Sequence, residues 1–495
     1  MSGSPLKRLA VHASHYTLGS LLTMVAGLVT FPLLTRIFSV ADYGVMNLIG
    51  VSVTVSVAVG KVGQQAAVLR FHSEIAAGKR PFTPEQLSST SVLGMLATGV
   101  SVAALVFAAT RLVPDGLVED PRVRTLMAIM CVAIVMQVVA SGLVNLARAQ
   151  MRTKLLVAFE VGKKYLGLAL ILFALLAVSR SLTAFYVATA TTEVLAVLAL
   201  GLALYARRAV SAPRPGHFSP KLFKEMLSYG LPMMVGKELA GIVLSVGDRY
   251  VIGALAGAEP LGLYSAAYNM CEYVYHVLIA SVGLAVMPIY MQMWEQQGRA
   301  ATSAFIDRSL RSYALLGAPV VAGVTAVGPE LLPALASSKY ASATVVVPWV
   351  IAGMVVAEAN SMLGAGLYIA RRTRTIMVII MSCAALNVAM NVVLIPRIGI
   401  VGSAIATLAS YASAAVLLAL AGRMFLPVTL PWATIARAAA ASLVMYLVVA
   451  GVYPGHGLLS VGVRAALGAP LYAALVAAID PDARALLRDL WRRRR

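Results

Sequence analysis

The sequence predicts an all-α polytopic membrane protein with about 14 transmembrane helices. Three observations carry this. Sixty per cent of the 495 residues are hydrophobic and only 12% are charged, with a mean hydropathy of +0.86. Long, continuously apolar segments recur along the whole chain. Basic residues concentrate in alternate connections between those segments. A soluble domain keeps about 25% charged residues for its surface, so the solvent for most of this chain is lipid.

Segments long enough to cross a bilayer fall at His15–Thr35, Tyr43–Leu69, Ser89–Thr110, Thr125–Ala147, Leu155–Val178, Thr183–Ala206 and Tyr229–Gly253. They continue at Gly262–Met291, Arg308–Leu332, Ala343–Ala370, Thr375–Ile395, Ile400–Ala421, Pro431–Tyr453 and Leu458–Ile479. They are too long and too evenly apolar for the alternating strands of an outer-membrane barrel.

The positive-inside rule orients them. With a cytoplasmic N-terminus, the inner connections hold Lys7 and Arg8, then Arg70, Lys79 and Arg80, then Arg148, Arg152, Lys154, Lys163 and Lys164. The basic 207–228 stretch, the Arg371–Arg374 turn and the C-terminal Arg492–Arg495 run fall on the same side. Far fewer basic residues, among them Arg36, Arg180, Arg397 and Arg464, fall on the other. Both termini are therefore expected in the cytoplasm. The net charge of +20 is spread over short loops, which fits topology and attraction to anionic headgroups, with no nucleic-acid partner.

Some chemistries are excluded. Cys131, Cys271 and Cys383 lie singly in apolar segments, without a CxxC or a ligand cluster. Gly60-Lys61 is not a phosphate loop, because Val55 and Val62 stand where glycine and Ser or Thr are required. The six histidines form no HExxH, and His276 reads as a packing or hydrogen-bonding residue. No cofactor, metal site or catalytic residue is expected.

The chain also repeats itself. Val40-Ala-Asp-Tyr-Gly44 matches Ala258-Glu-Pro-Leu-Gly262 as a short turn ending in glycine, and the turn at Arg180 matches that at Arg397. Both pairs have almost the same separation, as a duplicated six-helix unit requires. The expected organisation is an N-terminal six-helix lobe (1–206), a cytoplasmic linker (207–228), a second six-helix lobe (229–421), and two additional helices with a basic cytoplasmic tail (422–495).

Phe31-Pro-Leu-Leu-Thr-Arg36 followed by Asp42-Tyr-Gly44, Gly247-Asp-Arg-Tyr-Val-Ile-Gly253, Gly262-Leu-Tyr-Ser-Ala-Ala-Tyr268, Gly366-Leu-Tyr-Ile-Ala370 and Leu394-Ile-Pro-Arg-Ile-Gly-Ile-Val-Gly402 resemble a known family in order. It is the polysaccharide and O-antigen (Wzx-like) flippase branch of the multidrug/oligosaccharidyl-lipid/polysaccharide exporter superfamily. The final two helices diverge from it. The resemblance implies a non-enzymatic flippase in the bacterial plasma (inner) membrane. Its cargo would be an undecaprenyl-pyrophosphate-linked oligosaccharide, moved from the inner to the outer leaflet by alternating access. A polysaccharide polymerase and a chain-length regulator are the implied protein partners. A peptidoglycan-precursor flippase or a multidrug antiporter of the same superfamily are alternatives. A glycan polymerase or ligase would need a longer outer loop than any found.

Charges inside a bilayer are costly and are functional candidates by default. Lys61, Lys237 and Arg249 are the candidate lumen cations for an anionic lipid pyrophosphate. Glu238, Glu272, Glu358, Glu193 and Asp248 are candidates to carry a coupling H+ or Na+. Structural alternatives stand beside these roles. The lysines could snorkel to the interface, Glu193 and Glu358 could form buried pairs, and Asp248 and Arg249 could pair to lock a turn. Asn387 and Asn391 are expected to hydrogen-bond between helices.

Overall fold

A computed structural model describes residues 5–112, 120–206, 211–452, 457–481 and 483–484. The side chains of residues 5–18, 21, 236–237 and 281–285 lie outside that description. The basic residues Lys7, Arg8, Arg207, Arg208, Arg488 and Arg492–Arg495 used for the topology therefore fall outside it, wholly or as side chains, as does the side chain of Lys237.

Every regular element among the described residues is helical, as expected. In chain order these are α1 (Pro5–Ile37), α2 (Val40–Lys61), α3 (Gln64–Ala76), α4 (Pro84–Leu112), α5 (Arg122–Ala149), α6 (Thr153–Phe173), α7 (Leu182–Ala206) and α8 (Pro220–Met233). They continue as α9 (Ala240–Ala256), α10 (Ala258–Leu278), α11 (Ala280–Leu335), α12 (Val347–Leu363), α13 (Ala365–Ile369), α14 (Thr373–Ile398), α15 (Ile400–Gly422), α16 (Trp432–Gly451) and α17 (Leu458–Ile479). Helix α11 is broken at Gly298, where φ is 76°.

Among the described residues, each of the 14 sequence segments falls on helical stretches, the second and tenth in more than one piece. Among the described residues, 11 helical stretches are long and apolar enough to cross a membrane, and Leu22–Ile37 is a shorter apolar one. The seventh and eighth segments are helical but interrupted. A π-helical turn at Met234–Leu239 separates α8 from α9, and α10 ends at Leu278, with Ile279 between it and α11. These segments also carry Glu238, Asp248, Arg249 and Glu272, which lower their hydropathy.

Contacts define two compact units, Met1–Phe38 with Val45–Ile242, and Ser39–Gly44 with Val243–Arg495. In the first unit, Val68 and Phe71 of α3, Leu87 and Val92 of α4, and Leu143 and Leu146 of α5 form a buried core. Leu200 of α7 and Leu222 and Met226 of α8 complete it. The connection before α8 is fastened to a buried hydroxyl run at the start of α4. Ser88 Oγ donates to Ser211 O (2.7 Å), the Arg214 N–H donates to Ser89 Oγ (3.1 Å) and the Ser219 N–H donates to Thr90 Oγ1 (3.0 Å). Arg80 bridges Glu74 and Glu225 and covers the Phe71 ring at 3.8 Å.

In the second unit the two repeated turns pack on each other reciprocally. A Cβ on Gly44 would lie 1.9 Å from Ala258 O, and one on Gly262 would lie 2.0 Å from Val40 O. Such reciprocity is what a local twofold between like elements produces, and it explains why both turns end in glycine. Helices α16 and α17 pack on α11. Arg464, 4% exposed, donates to Glu330 Oε2 (2.9 Å) and to Val452 O (2.9 Å), while the Tyr472 hydroxyl donates to Leu315 O (2.7 Å). Arg464, read from sequence as an outer-loop charge, is thus a buried strut, since a guanidinium withdrawn from water needs this many acceptors.

Candidate functional site

The first unit contains a cavity of about 660 Å³ lined by three cations, Lys61, Arg148 and Lys163, and two carboxylates, Glu160 and Glu238. A local break in the second segment places Lys61 there. Helix α2 stops at Lys61, Val62 takes φ 41° and Gly63 takes φ 68°. A positive φ is unusual for a β-branched residue and marks strain. Gly63 admits no side chain, since a Cβ would lie 1.9 Å from Gly230 O. The chain then restarts as α3 with Gln65 facing the cavity. Glu238 arrives from the π-helical turn, the kind of insertion that re-aims side chains at functional sites.

Two matched triads result. Lys61 Nζ lies 3.8 Å from Glu238 Oε1, and Gln65 Nε2 donates to Glu238 Oε2 at 2.8 Å. Lys163 Nζ lies 2.6 Å from Glu193 Oε2, and Gln137 Nε2 donates to Glu193 Oε1 at 3.1 Å. In each, a lysine holds one carboxylate oxygen and a glutamine from a different helix holds the other. The lysine side chains are 25% and 26% exposed, so each keeps a face open. Arg148 is exposed, approaches Asn145 Oδ1 at 3.4 Å, and makes no ion pair among the described residues.

The second unit collects the other candidates differently. Asp248 and Arg249 are 1% and 5% exposed. Asp248 Oδ2 accepts from the Tyr264 hydroxyl (2.5 Å) and from Thr407 Oγ1 (3.4 Å), and Arg249 lies over the Tyr268 ring at 4.5 Å. Asn387 Nδ2 donates to Thr407 Oγ1 (3.4 Å), joining α14 to α15, while Asn391 donates back within α14 to Asn387. Asp248 Oδ1 and Asn391 Oδ1 are buried and accept no hydrogen bond among the described residues. Glu358 accepts from the Tyr275 hydroxyl. Glu272 is 48% exposed, with His276 Nε2 3.9 Å away.

The eight candidates thus separate by unit. Lys61 and Glu238 line the cavity of the first, Glu193 pairs with the lining Lys163, and Asp248, Arg249, Glu272 and Glu358 lie in the second. Lys237 sits in the π-helical turn, its side chain outside the description. Sequence reasoning missed Lys163, counted as a loop charge although α6 begins ten residues earlier at Thr153. The depth argument that selected Lys61 would have found it. Arg148, Gln65 and Gln137 carried no comparable signal, because polar residues near helix ends are common. Among the described residues no three His, Cys, Asp or Glu side chains group to hold a metal ion, and the three cysteines are free.

The fold is that of the transporters of the multidrug/oligosaccharidyl-lipid/polysaccharide exporter superfamily. A lipid II flippase, MurJ, in an inward closed conformation superposes with a TM-score of 0.76 over 96% of this chain and 99% of its own, at 12% identity. An inward-facing multidrug resistance MATE family transporter superposes with a TM-score of 0.66 over 82% and 94%, at 13% identity. An uncharacterised membrane protein of Methanocaldococcus jannaschii is 25% identical over 197 residues, 39% of this chain and 38% of that protein. The chain thus matches well under two thirds of that relative's length. Residues 10–294 match the polysaccharide biosynthesis protein family, and the chain belongs to that family.

Proposed function

We propose that this protein is a flippase for undecaprenyl-pyrophosphate-linked oligosaccharides, moving them from the inner to the outer leaflet of a bacterial plasma membrane for surface polysaccharide synthesis. The observation that carries the reading is the cavity with Lys61, Lys163 and Arg148 on its walls. An anionic headgroup too polar to cross alone needs such donors at membrane depth. A carrier of organic cations calls for an acidic site and few lumen cations. The family match and the likeness to a lipid II flippase support a lipid-linked glycan as cargo. A peptidoglycan precursor, which shares the lipid pyrophosphate, is the second reading. Alternating access is the transport mode, both termini are cytoplasmic, and a polymerase and chain-length regulator act on the delivered cargo.

Coupling to H+ or Na+ is assigned to Asp248. Its buried orphan oxygen offers acceptor capacity that a proton or small cation would use. The test is reconstitution in liposomes with a short-chain polyprenyl-pyrophosphate oligosaccharide, scoring lectin access from outside. Transport that depends on a proton or sodium gradient in the wild type and loses that dependence in Asp248→Asn is expected. Transport of organic cations without transport of the lipid-linked sugar would overturn the reading.

A further inference from the structure

The cavity cations of the first unit are not waiting empty. Lys61 and Lys163, on different helices, are each held by a carboxylate, and each carboxylate is held on its second oxygen by a glutamine. An ammonium only about a quarter exposed gains from a nearby anion, and in the empty carrier the internal carboxylates supply one. The same lysines are the donors a pyrophosphate would use. The carboxylate and the cargo therefore compete for one set of positive charges.

We propose that Glu238 and Glu193 are release carboxylates: they hold Lys61 and Lys163 when the cavity is empty and take them back from the phosphates of the cargo. The proposal rests on the anion-carrying reading of the cavity. The glutamines explain how the exchange stays reversible. When a lysine swings to phosphate, Gln65 or Gln137 keeps the carboxylate in place, so the lysine has a fixed partner to return to. Lysine suits this exchange, being a point charge on a flexible stem, whereas a bidentate arginine would be harder to detach. Arg148, with no carboxylate partner among the described residues, is the cation free to meet an incoming phosphate first. An internal competitor lowers the affinity for cargo, and a carrier that must let go needs that weakening as much as it needs binding.

The sign of the effect separates this role from a structural one. A carboxylate that only braces the cavity weakens binding when it is neutralised. A competitor strengthens binding. The experiment uses the full chain in lipid nanodiscs and farnesyl pyrophosphate as the probe, with affinity read by microscale thermophoresis and turnover by flipping in liposomes. Glu238→Gln and Glu193→Gln are expected to tighten binding about two- to fivefold, the range of a part-exposed ion pair, and to slow turnover. Glu238→Asp, which keeps the charge, is expected to stay near wild type. Glu193 is the more buried carboxylate, at 8% exposure against 20% for Glu238. If its variant does not fold, Glu238→Gln decides alone.

Unchanged or weakened binding in the folded glutamine variants overturns the release role. Lys61→Ala and Lys163→Ala distinguish that failure from a failure of the cavity reading. Saturable binding that drops in the lysine variants but ignores the glutamate variants removes only the release role. No saturable binding by the wild type, or binding indifferent to both lysines, removes the anion-carrying reading and the release role with it.

Discussion

The polar groups of the two units are built to opposite ends. In the first, lysines line a cavity, keep about a quarter of their surface open and pair with carboxylates from separate elements. In the second, Asp248 and Arg249 are adjacent, almost sealed, and tied by Tyr264, Thr407 and Tyr268. An open pair can exchange partners with a ligand at little cost, because water or cargo replaces what it loses. A sealed pair cannot change without leaving a charge unpaired in low dielectric. Under the proposed function, the contrast would give cargo handling to the first unit and a small ion or proton to the second, the kind of species that reaches a site with no open face.

The sharpest way to break this contrast is to neutralise one member of the sealed pair. Asp248→Ala leaves the Arg249 guanidinium buried without its neighbour and strips acceptors from Tyr264 and Thr407. Leaving a buried charge without its compensating neighbour costs about 3–5 kcal/mol. Thermal unfolding in detergent should show a large fall in midpoint, or no folded protein. A midpoint near wild type would mean that the cluster is more open than its 1% and 5% exposures indicate.

A smaller loss is expected where backbone meets backbone. Gly44→Ala would place a methyl 1.9 Å from Ala258 O, and helix ends must part to admit it. Overpacking of this kind costs about 1–3 kcal/mol. Gly262→Ala, which meets Val40 O at 2.0 Å, should cost about as much. The two midpoints, measured side by side, test the reciprocity of the repeat. A large loss at one turn and none at the other would deny it.

Much of this was legible in the sequence, for physical reasons. Apolar length and loop charge mark helices in a bilayer because lipid leaves no other solution for the backbone, and the repeat was visible because both turns needed glycine. Partnership was not legible. Lys163 and Glu193 come from different helices, as do Gln65 and Glu238, and helix rotation decides whether such groups meet. Nothing in the spacing of Glu193 distinguishes it from Glu358, yet one holds a lysine and the other accepts from Tyr275. The break at Val62–Gly63 was hidden for another reason. Val62 argues against a positive φ, and only the close approach to Gly230 shows why the chain takes one.

The open pairs should respond in function before stability. Lys61→Ala removes a part-exposed ion pair, worth at most about 1 kcal/mol, so it should insert and melt near wild type, whereas Lys163→Ala leaves the 8% exposed Glu193 carboxylate without its lysine and should lower the midpoint further. Flipping in liposomes should nevertheless fall about tenfold or more, the consequence of losing a charge-assisted phosphate contact worth about 1.5–3 kcal/mol. Wild-type export from both variants at normal expression would remove the cavity from the transport mechanism.

Glu272 gives the smallest expected effect and closes the comparison from the other side. It belongs to the second unit but not to its sealed cluster. Its side chain is 48% exposed and its histidine neighbour 54%, so the pair is screened and its members are easily re-solvated. Glu272→Gln should shift the unfolding midpoint within the range of ordinary surface changes, about 0.5 kcal/mol or less, and leave the ion dependence of transport intact. If instead Glu272→Gln abolishes that dependence while Asp248→Asn keeps it, burial is the wrong criterion for the coupling site. The ion would then enter through the open carboxylate, and the division of labour between an open and a sealed set of charges would have to be drawn within the second unit.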